Sequence, residues 1–259
     1  MLISVSDLAV VWGVTPSGVL HVGAHEGEEA EAYAAQGWKP VWWIEMLPDK
    51  CAYLRARFGD DPSNQVLQGA CWDENGVDLS VFRANNGQSS SLLAPTEHLQ
   101  DYPDIAFETT TSIRTTRLDS LLPSTATFDF VNLDLQGAEL RALRGLGHHL
   151  RQVKWAYVEV NTRPLYEQCC LIDELDRFMH STGFSRVVTR MAGSASGWGD
   201  ALYANPDRIG KMPLRTTVAF RIKQTKWTTW QSIRKPLGAV KRAVKKALSG
   251  SSRGPRRIG

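Results

Sequence analysis

The feature that most constrains the fold is an alternation of strand-like and helix-like runs along most of the chain. Residues 18–22 read as a first strand, and the Ala- and Glu-rich run 26–36 as a helix, with Gly37 as its C-terminal stop. Residues 41–45 are apolar almost throughout, as a buried parallel strand is. Residues 48–58 form a helix with proline in its first turn, and 65–71 a third strand. The rhythm resumes with a strand at 128–133, a helix at 138–146, a strand at 155–160 and a helix at 171–181. Short late strands at 185–189 and 201–204 close it. A leading helix over 4–12 is capped by Ser4 or Ser6. Such alternation predicts an α/β fold with a mostly parallel, doubly wound sheet. Residues 77–116 break the pattern: a strand at 77–83, a polar loop at 85–91 and an extended, β-branched run at 109–116. That insertion is a natural place for substrate contacts.

Charge divides the chain in two. Residues 1–206 hold 15 Lys and Arg against 26 Asp and Glu, whereas 207–259 hold 15 against one. The expectation is one α/β domain over 1–206 and a basic extension over 207–259. In the extension, Trp227, Trp230, Ile233, Leu237, Val240, Val244 and Leu248 recur at helical spacing between lysines and arginines, with Pro236 as a kink. A basic amphipathic run over 227–248 fits a membrane surface or an anionic partner, with packing on the acidic body as the alternative and nucleic acid ranked below both. The last residues, 249–259, carry the composition of a disordered tail. There is no run of eighteen apolar residues and no basic leader segment. Cys51, Cys71, Cys169 and Cys170 lack zinc or redox spacing, and the adjacent pair suits a reducing compartment. The expected location is therefore the cytoplasm, peripheral at the inner face of the membrane.

Between the first strand and its helix lies the loop Gly23-Ala24-His25-Glu26-Gly27. Glycines there permit a sharp turn and a close approach of backbone to ligand. The helix start beyond it offers free N–H groups. Glu45 ends the second strand 18 residues after Gly27, where nucleotide-binding folds place an acid on the ribose hydroxyls. Glu26, Glu28 and Glu29 crowd the loop and would repel a pyrophosphate. They tolerate a ligand with sulfonium and ammonium charges, which favours S-adenosylmethionine over NAD. The third strand ends at Ala70 and Cys71, positioned for the adenine.

These residues, with five further motifs, resemble the FkbM family of methyltransferases. The markers are His21-Val22-Gly23-Ala24-His25-Glu26-Gly27-Glu28-Glu29, then Ser89-Ser90-Ser91-Leu92-Leu93, Arg117-Leu118-Asp119-Ser120-Leu121, Asn132-Leu133-Asp134-Leu135-Gln136-Gly137-Ala138-Glu139, Glu159-Val160-Asn161 and Trp198-Gly199-Asp200-Ala201-Leu202-Tyr203. Six short motifs in the family's order span residues 18–204. The resemblance implies a Rossmann-like, class I methyltransferase fold and transfer of a methyl group from S-adenosylmethionine, usually to oxygen. The acceptor it implies is a hydroxyl of a sugar, a glycan or a related biosynthetic intermediate. Where many members carry Asp, this chain has His21, and Glu28 is the acid that can stand in.

An alcohol is a weak nucleophile, so a base or a metal is expected. Asp134 ends the central strand at the crevice where open sheets bind ligands, though an acid there can also cap the next helix. Glu159 and Asn161 lie two apart on the following strand, on one face of the sheet. With Asp134 they form either an all-oxygen magnesium-type site or a polar network that holds the acceptor, and the network is preferred. His98, in the insertion, is a second candidate base. Ser90 is placed on the cofactor. Arg163, Tyr166, Trp198 and Asp200 are the candidate acceptor contacts. Two other readings stay open on the residues alone: an NAD(P)-dependent oxidoreductase and a non-catalytic, membrane-associated binding module.

Overall fold

The computed structural model describes residues 1–193 and 196–209. The chain starts with α1 (Val5–Val10), capped by the Ser4 hydroxyl, which accepts the Asp7 N–H at 3.0 Å. There follow β1 (Val19–Val22), α2 (Ala30–Ala35), β2 (Val41–Glu45), α3 (Pro48–Phe58), β3 (Asn64–Gln68), β4 (Ala70–Cys71), β5 (Asp78–Ala84) and α4 (His98–Asp101). The remainder is β6 (Phe107–Thr116), α5 (Leu118–Leu121), β7 (Phe130–Leu133), α6 (Glu139–Gly145), β8 (Trp155–Asn161), α7 (Ile172–Ser181), β9 (Ser185–Met191), β10 (Trp198–Ala204) and α8 (Pro206–Ile209). The expected basic run at 227–248 lies outside the described residues. The body itself continues past residue 206 through α8, whose Arg208 guanidinium donates to the Leu150 and Val153 carbonyls.

Seven strands form the main sheet in the order β3-β2-β1-β7-β8-β10-β9. Strands β3, β2, β1, β7 and β8 are parallel, and β10 runs antiparallel to both β8 and β9. This is the α/β architecture the alternation predicts, with β10 as the reversal. The sheet is covered on both faces. Leu20, Val22, Val131, Leu133, Val158 and Val160 pack against Leu140, Leu143, Leu175 and Met179 of α6 and α7. On the other face, Val19, Trp43, Phe130 and Tyr157 meet Leu8, Tyr33 and Leu54 of α1, α2 and α3.

Two local expectations change. The helix predicted over 26–36 begins only at Ala30, because His25 (φ 45°) and Gly27 (φ 72°) take left-handed backbone and fold 24–30 into two turns. The helix start is therefore displaced from the loop it was expected to serve. The third strand is two strands. Gly69 separates β3, in the main sheet, from β4, which joins β6 and β5 in a three-stranded sheet. The 85–106 connection forms a roof over the carboxyl ends of the main strands, its residues lining the same spaces as Gly23, Glu45 and Asp134.

Candidate active site

The sheet order reverses between β1 and β7, so their carboxyl ends open the crevice that such sheets offer to ligands. Gly23 (φ 83°) follows β1, and a Cβ on it would overlap the Asp134 carbonyl oxygen after β7. Glycine is required here so that the two loops can touch. A chamber of about 400 Å³ lies over this point, between the sheet ends and the roof. A narrower slot of about 40 Å³ runs toward β2 and β4. Gly23, His25, Gln88 and Asp134 line both spaces.

The slot has apolar walls, Ile44, Leu47, Leu92 and Ala138 among them, with Glu45 at its edge. The Glu45 carboxylate accepts the His25 N–H on one oxygen and the Leu47 N–H on the other, both at 2.8 Å. Burial raises its pKa, against the pull of these amides. Each oxygen keeps a further lone pair for a ligand hydroxyl. Of the residues expected on the cofactor, Gly23, His25, Glu45, Cys71 and Ser90 line the slot, and Glu28 lines the chamber. Ala24, Gly27 and Ala70 line neither. Ala24 is occupied in the loop, its N–H donating to the Ile44 carbonyl, and Gly27 sits against Leu54 and Phe58. Ala70 packs into the small apolar cluster with Leu47 and Trp72. Gly69, beside it, takes the place in the slot that was expected of Ala70.

The acids of the loop have separate environments. Glu26 is turned to Lys50 at 2.5 Å. Glu28 receives His25 Nδ1 at 2.6 Å and Gln88 at 3.4 Å. Burial opposes its charge, yet these hydrogen bonds hold its pKa down to about 2. Glu29 faces the chamber, 3.9 Å from His21 Nε2. His21 itself is buried, bonded to Asn132 at 3.3 Å and Tyr33 at 3.4 Å, and burial lowers its pKa.

Asp134 and Glu159 both line the chamber, bridged by one side-chain amide. Gln136, at φ 51°, donates its amide to Asp134 Oδ1 at 2.8 Å and to Glu159 Oε2 at 2.7 Å. Tyr166 donates to the other end of that amide, Gln136 Oε1, at 2.8 Å. Asp134 is open to the chamber but enclosed by protein beyond it. Burial, then the Asp200 charge, raises its pKa. Glu159 is raised much further, by burial and by the charges of Asp134 and Glu139. Both carboxyls are thus pushed toward the protonated form. Asp134 does not cap α6. The acid that satisfies that turn is Glu139, which accepts the Leu135 and Gly137 N–H groups at 2.9 and 3.0 Å.

Asn161 stands apart from the other two members of its expected trio. It is fully buried, outside the chamber lining, and neither of its amide atoms has a partner. Among the described residues there is no cluster of three or more His, Cys, Asp or Glu side chains arranged for a metal. Between the carboxylates of Asp134 and Glu159 lies the Gln136 amide, a donor in the place a cation would take. These residues do not fit a magnesium ion.

On the acceptor side, His98, Trp198 and Asp200 line the chamber. His98 packs among Tyr102, Phe107 and Tyr166, and burial lowers its pKa. Trp198 Nε1 donates to the Tyr102 hydroxyl at 2.8 Å. Asp200 accepts the Leu2 N–H at 2.6 Å and the Tyr157 hydroxyl. Arg163 and Tyr166 do not line it. The Arg163 guanidinium pairs with Glu97 at 2.9 Å and with Asp101, and Tyr166 is a buried support for Gln136. Residues that sequence reasoning passed over are Gln136, Glu139, Gln88, Asn86 and Tyr102. Gln136 and Glu139 lie inside a motif already singled out, but the Gln136 bonds to Glu159 and Tyr166 join residues 23 and 30 positions apart.

Residues 21–186, well over half of the chain, match the family described as the methyltransferase FkbM domain. The 2-O-methyltransferase NoeI of Sinorhizobium fredii (strain NBRC 101917 / NGR234) is 27% identical over 161 residues, 58% of this chain and 65% of NoeI. The match thus spans less than two thirds of that relative's length. Among solved structures, a 1,6-didemethyltoxoflavin-N1-methyltransferase of Burkholderia thailandensis superposes with a TM-score of 0.45 at 12% identity, over 78% of this chain and 76% of its own. The glycopeptide N-methyltransferase MtfA complexed with S-adenosylhomocysteine gives 0.41 at 12% identity, over 78% and 88%.

Proposed function

The chain belongs to the FkbM methyltransferase domain family, and from that premise we propose that it transfers a methyl group from S-adenosylmethionine to a hydroxyl of a sugar or glycan-linked acceptor. The observation that carries the reading is the Asp134–Glu159 pair at the switch point, with a slot ending in Glu45 on one side and an aromatic-walled chamber on the other. Glu45, at the slot, is the acid to hold the ribose, and Cys71 and Gly69 border the base. Glu28, Glu29 and Asp134 surround the methionine part, where carboxylates suit its ammonium and sulfonium. When bound, the donor supplies a methyl carbon on a sulfonium whose departure as a neutral thioether needs no acid.

The protein's task is to position the hydroxyl and take its proton. We assign the proton of the pair to Glu159, the more enclosed of the two, which leaves Asp134, open to the chamber, as the carboxylate that accepts the proton of the acceptor hydroxyl. Gln136, steadied by Tyr166, fixes the direction in which Asp134 offers its lone pairs. His98, kept neutral by burial, orients the acceptor from the roof. No step is assigned to a metal.

The test is transfer of labelled methyl from S-adenosylmethionine into a glycan extract, followed by mass spectrometry. Asp134→Asn should lower the rate by about 10²–10⁴-fold, the usual range for a lost general base, while still binding S-adenosylhomocysteine. A chelator should leave the rate unchanged. Full activity in Asp134→Asn, or no labelled product from the wild type, would refute the reading.

The relationship to NoeI favours oxygen as the methylated atom, since that protein is a 2-O-methyltransferase. The basic run 227–248 supports a further proposal, contact with an anionic membrane surface. Among the described residues, no helix is long and apolar enough to cross a membrane.

A further inference from the structure

The charge of the chamber wall limits what the acceptor can be. Glu28, Glu29, Asp134, Glu159 and Asp200 all line it. Among the described residues, no lysine or arginine side chain does. Lys50 is engaged on Glu26, and Arg163 on Glu97 and Asp101. The Met1 amino group reaches the chamber but is paired with Glu29 at 3.4 Å. His21 and His98 are held toward the neutral form by burial.

The rest of the wall is neutral and suited to polyols. Trp198 and Tyr102 offer aromatic surface, and Gln88 offers an amide. His98 is 4% exposed, lines the chamber and leaves Nδ1 without a protein partner. A buried polar atom of that kind calls for a hydrogen bond from a ligand. A phosphate, sulfate or carboxylate placed here would face the carboxylates of Glu28, Glu29, Asp134 and Asp200 with no lysine or arginine side chain among the described lining residues to offset them.

We infer that the acceptor is a polyhydroxyl compound that carries no negative charge next to the methylated hydroxyl, and that a neutral or amine-bearing sugar is selected over an acidic one. This rests on the methyltransfer reading above. Nucleoside-diphosphate sugars and uronates are excluded as substrates unless their charged part stays outside the chamber.

The experiment uses the full chain and a panel of methyl glycosides, each sugar presented as the neutral, 2-amino, uronate and 6-phosphate form. Binding to the protein loaded with S-adenosylhomocysteine is read by saturation-transfer NMR, and transfer of labelled methyl from S-adenosylmethionine by mass spectrometry. Neutral and amino forms should bind and be methylated at least tenfold better than the acidic forms of the same sugar. Glu29→Gln should narrow that discrimination at least threefold, and Glu28→Gln serves as the second variant should the first fail to fold. Equal or preferential binding of the acidic forms would overturn the inference while leaving the function intact. Neutral and amino forms that bind with the expected preference but are never methylated would overturn the function and leave the charge selection standing. No binding by any member would overturn the inference.

Discussion

At the scale of single residues, the site is built on acids in unequal surroundings. Glu139 is the clearest case. It is 2% exposed, and burial raises its pKa to about 7, against the two N–H groups it accepts. A carboxyl whose folded pKa lies above its unfolded value holds its proton more tightly in the native state. Its contribution is therefore complete below the unfolded value of 4.5 and is lost as pH rises toward about 7. Glu139→Gln keeps an oxygen for the Leu135 and Gly137 amides but removes the titration. The stability of the variant relative to wild type should climb between pH 4.5 and 7 by about 3 kcal/mol at most, since each pKa unit is worth about 1.4 kcal/mol. Urea unfolding at a series of pH values measures it, and a difference that does not vary with pH would show that Glu139 titrates normally. The two left-handed, non-glycine residues at the site, His25 and Gln136, sit in the loops after β1 and β7. Backbone strain of this kind persists where surrounding bonds over-determine it, here those of Glu28 and Tyr166.

At the scale of elements, the sequence was most legible where punctuation and periodicity agree. Strand β2 and helix α3 match their predicted bounds, because an apolar run ending in Glu45 and a proline at the first turn leave little freedom. That Glu45, Asp134 and Glu159 border the crevice was readable for the same reason: each stands at or near the end of a strand. The split of the third strand at Gly69 was not readable, since β4 is recruited by β6, more than forty residues later. The Tyr166–Gln136 support was hidden likewise, its partners 30 positions apart. The slot beside Glu45 has a consequence for the roof. At about 40 Å³ it is far below the several hundred typical of ligand sites, so binding must shift the 85–92 segment that forms one wall. Ser90, through its bonds to Gly87 and Ala84, holds that segment in its present form. Hydrogen exchange in 85–92 should slow at least several-fold when S-adenosylhomocysteine is added, more than in β9 at the far edge. Unchanged exchange there would mean that the cofactor does not enter the slot.

At the scale of the molecule, the charge is divided along the sequence, acidic over residues 1–206 and basic over 207–259. Five of the acids line the chamber, where, on the proposals above, they suit a cationic donor and a non-anionic acceptor. The extension, on the proposal above, meets an anionic surface. Each basic residue near such a surface contributes about 1 kcal/mol. Replacing Lys241, Lys245 and Lys246 together by Glu in the full chain should cut its partition onto phosphatidylglycerol vesicles by about a hundredfold or more, with phosphatidylcholine vesicles as the control. Sedimentation indifferent to vesicle charge would remove the membrane from the account. The most direct test of the central claim is calorimetric titration of the folded protein with S-adenosylhomocysteine, in the wild type and in Glu45→Ala. The account predicts one site per chain in the wild type and at least tenfold weaker binding in the variant. Absence of binding to the folded wild type, or equal binding by the two, would contradict it.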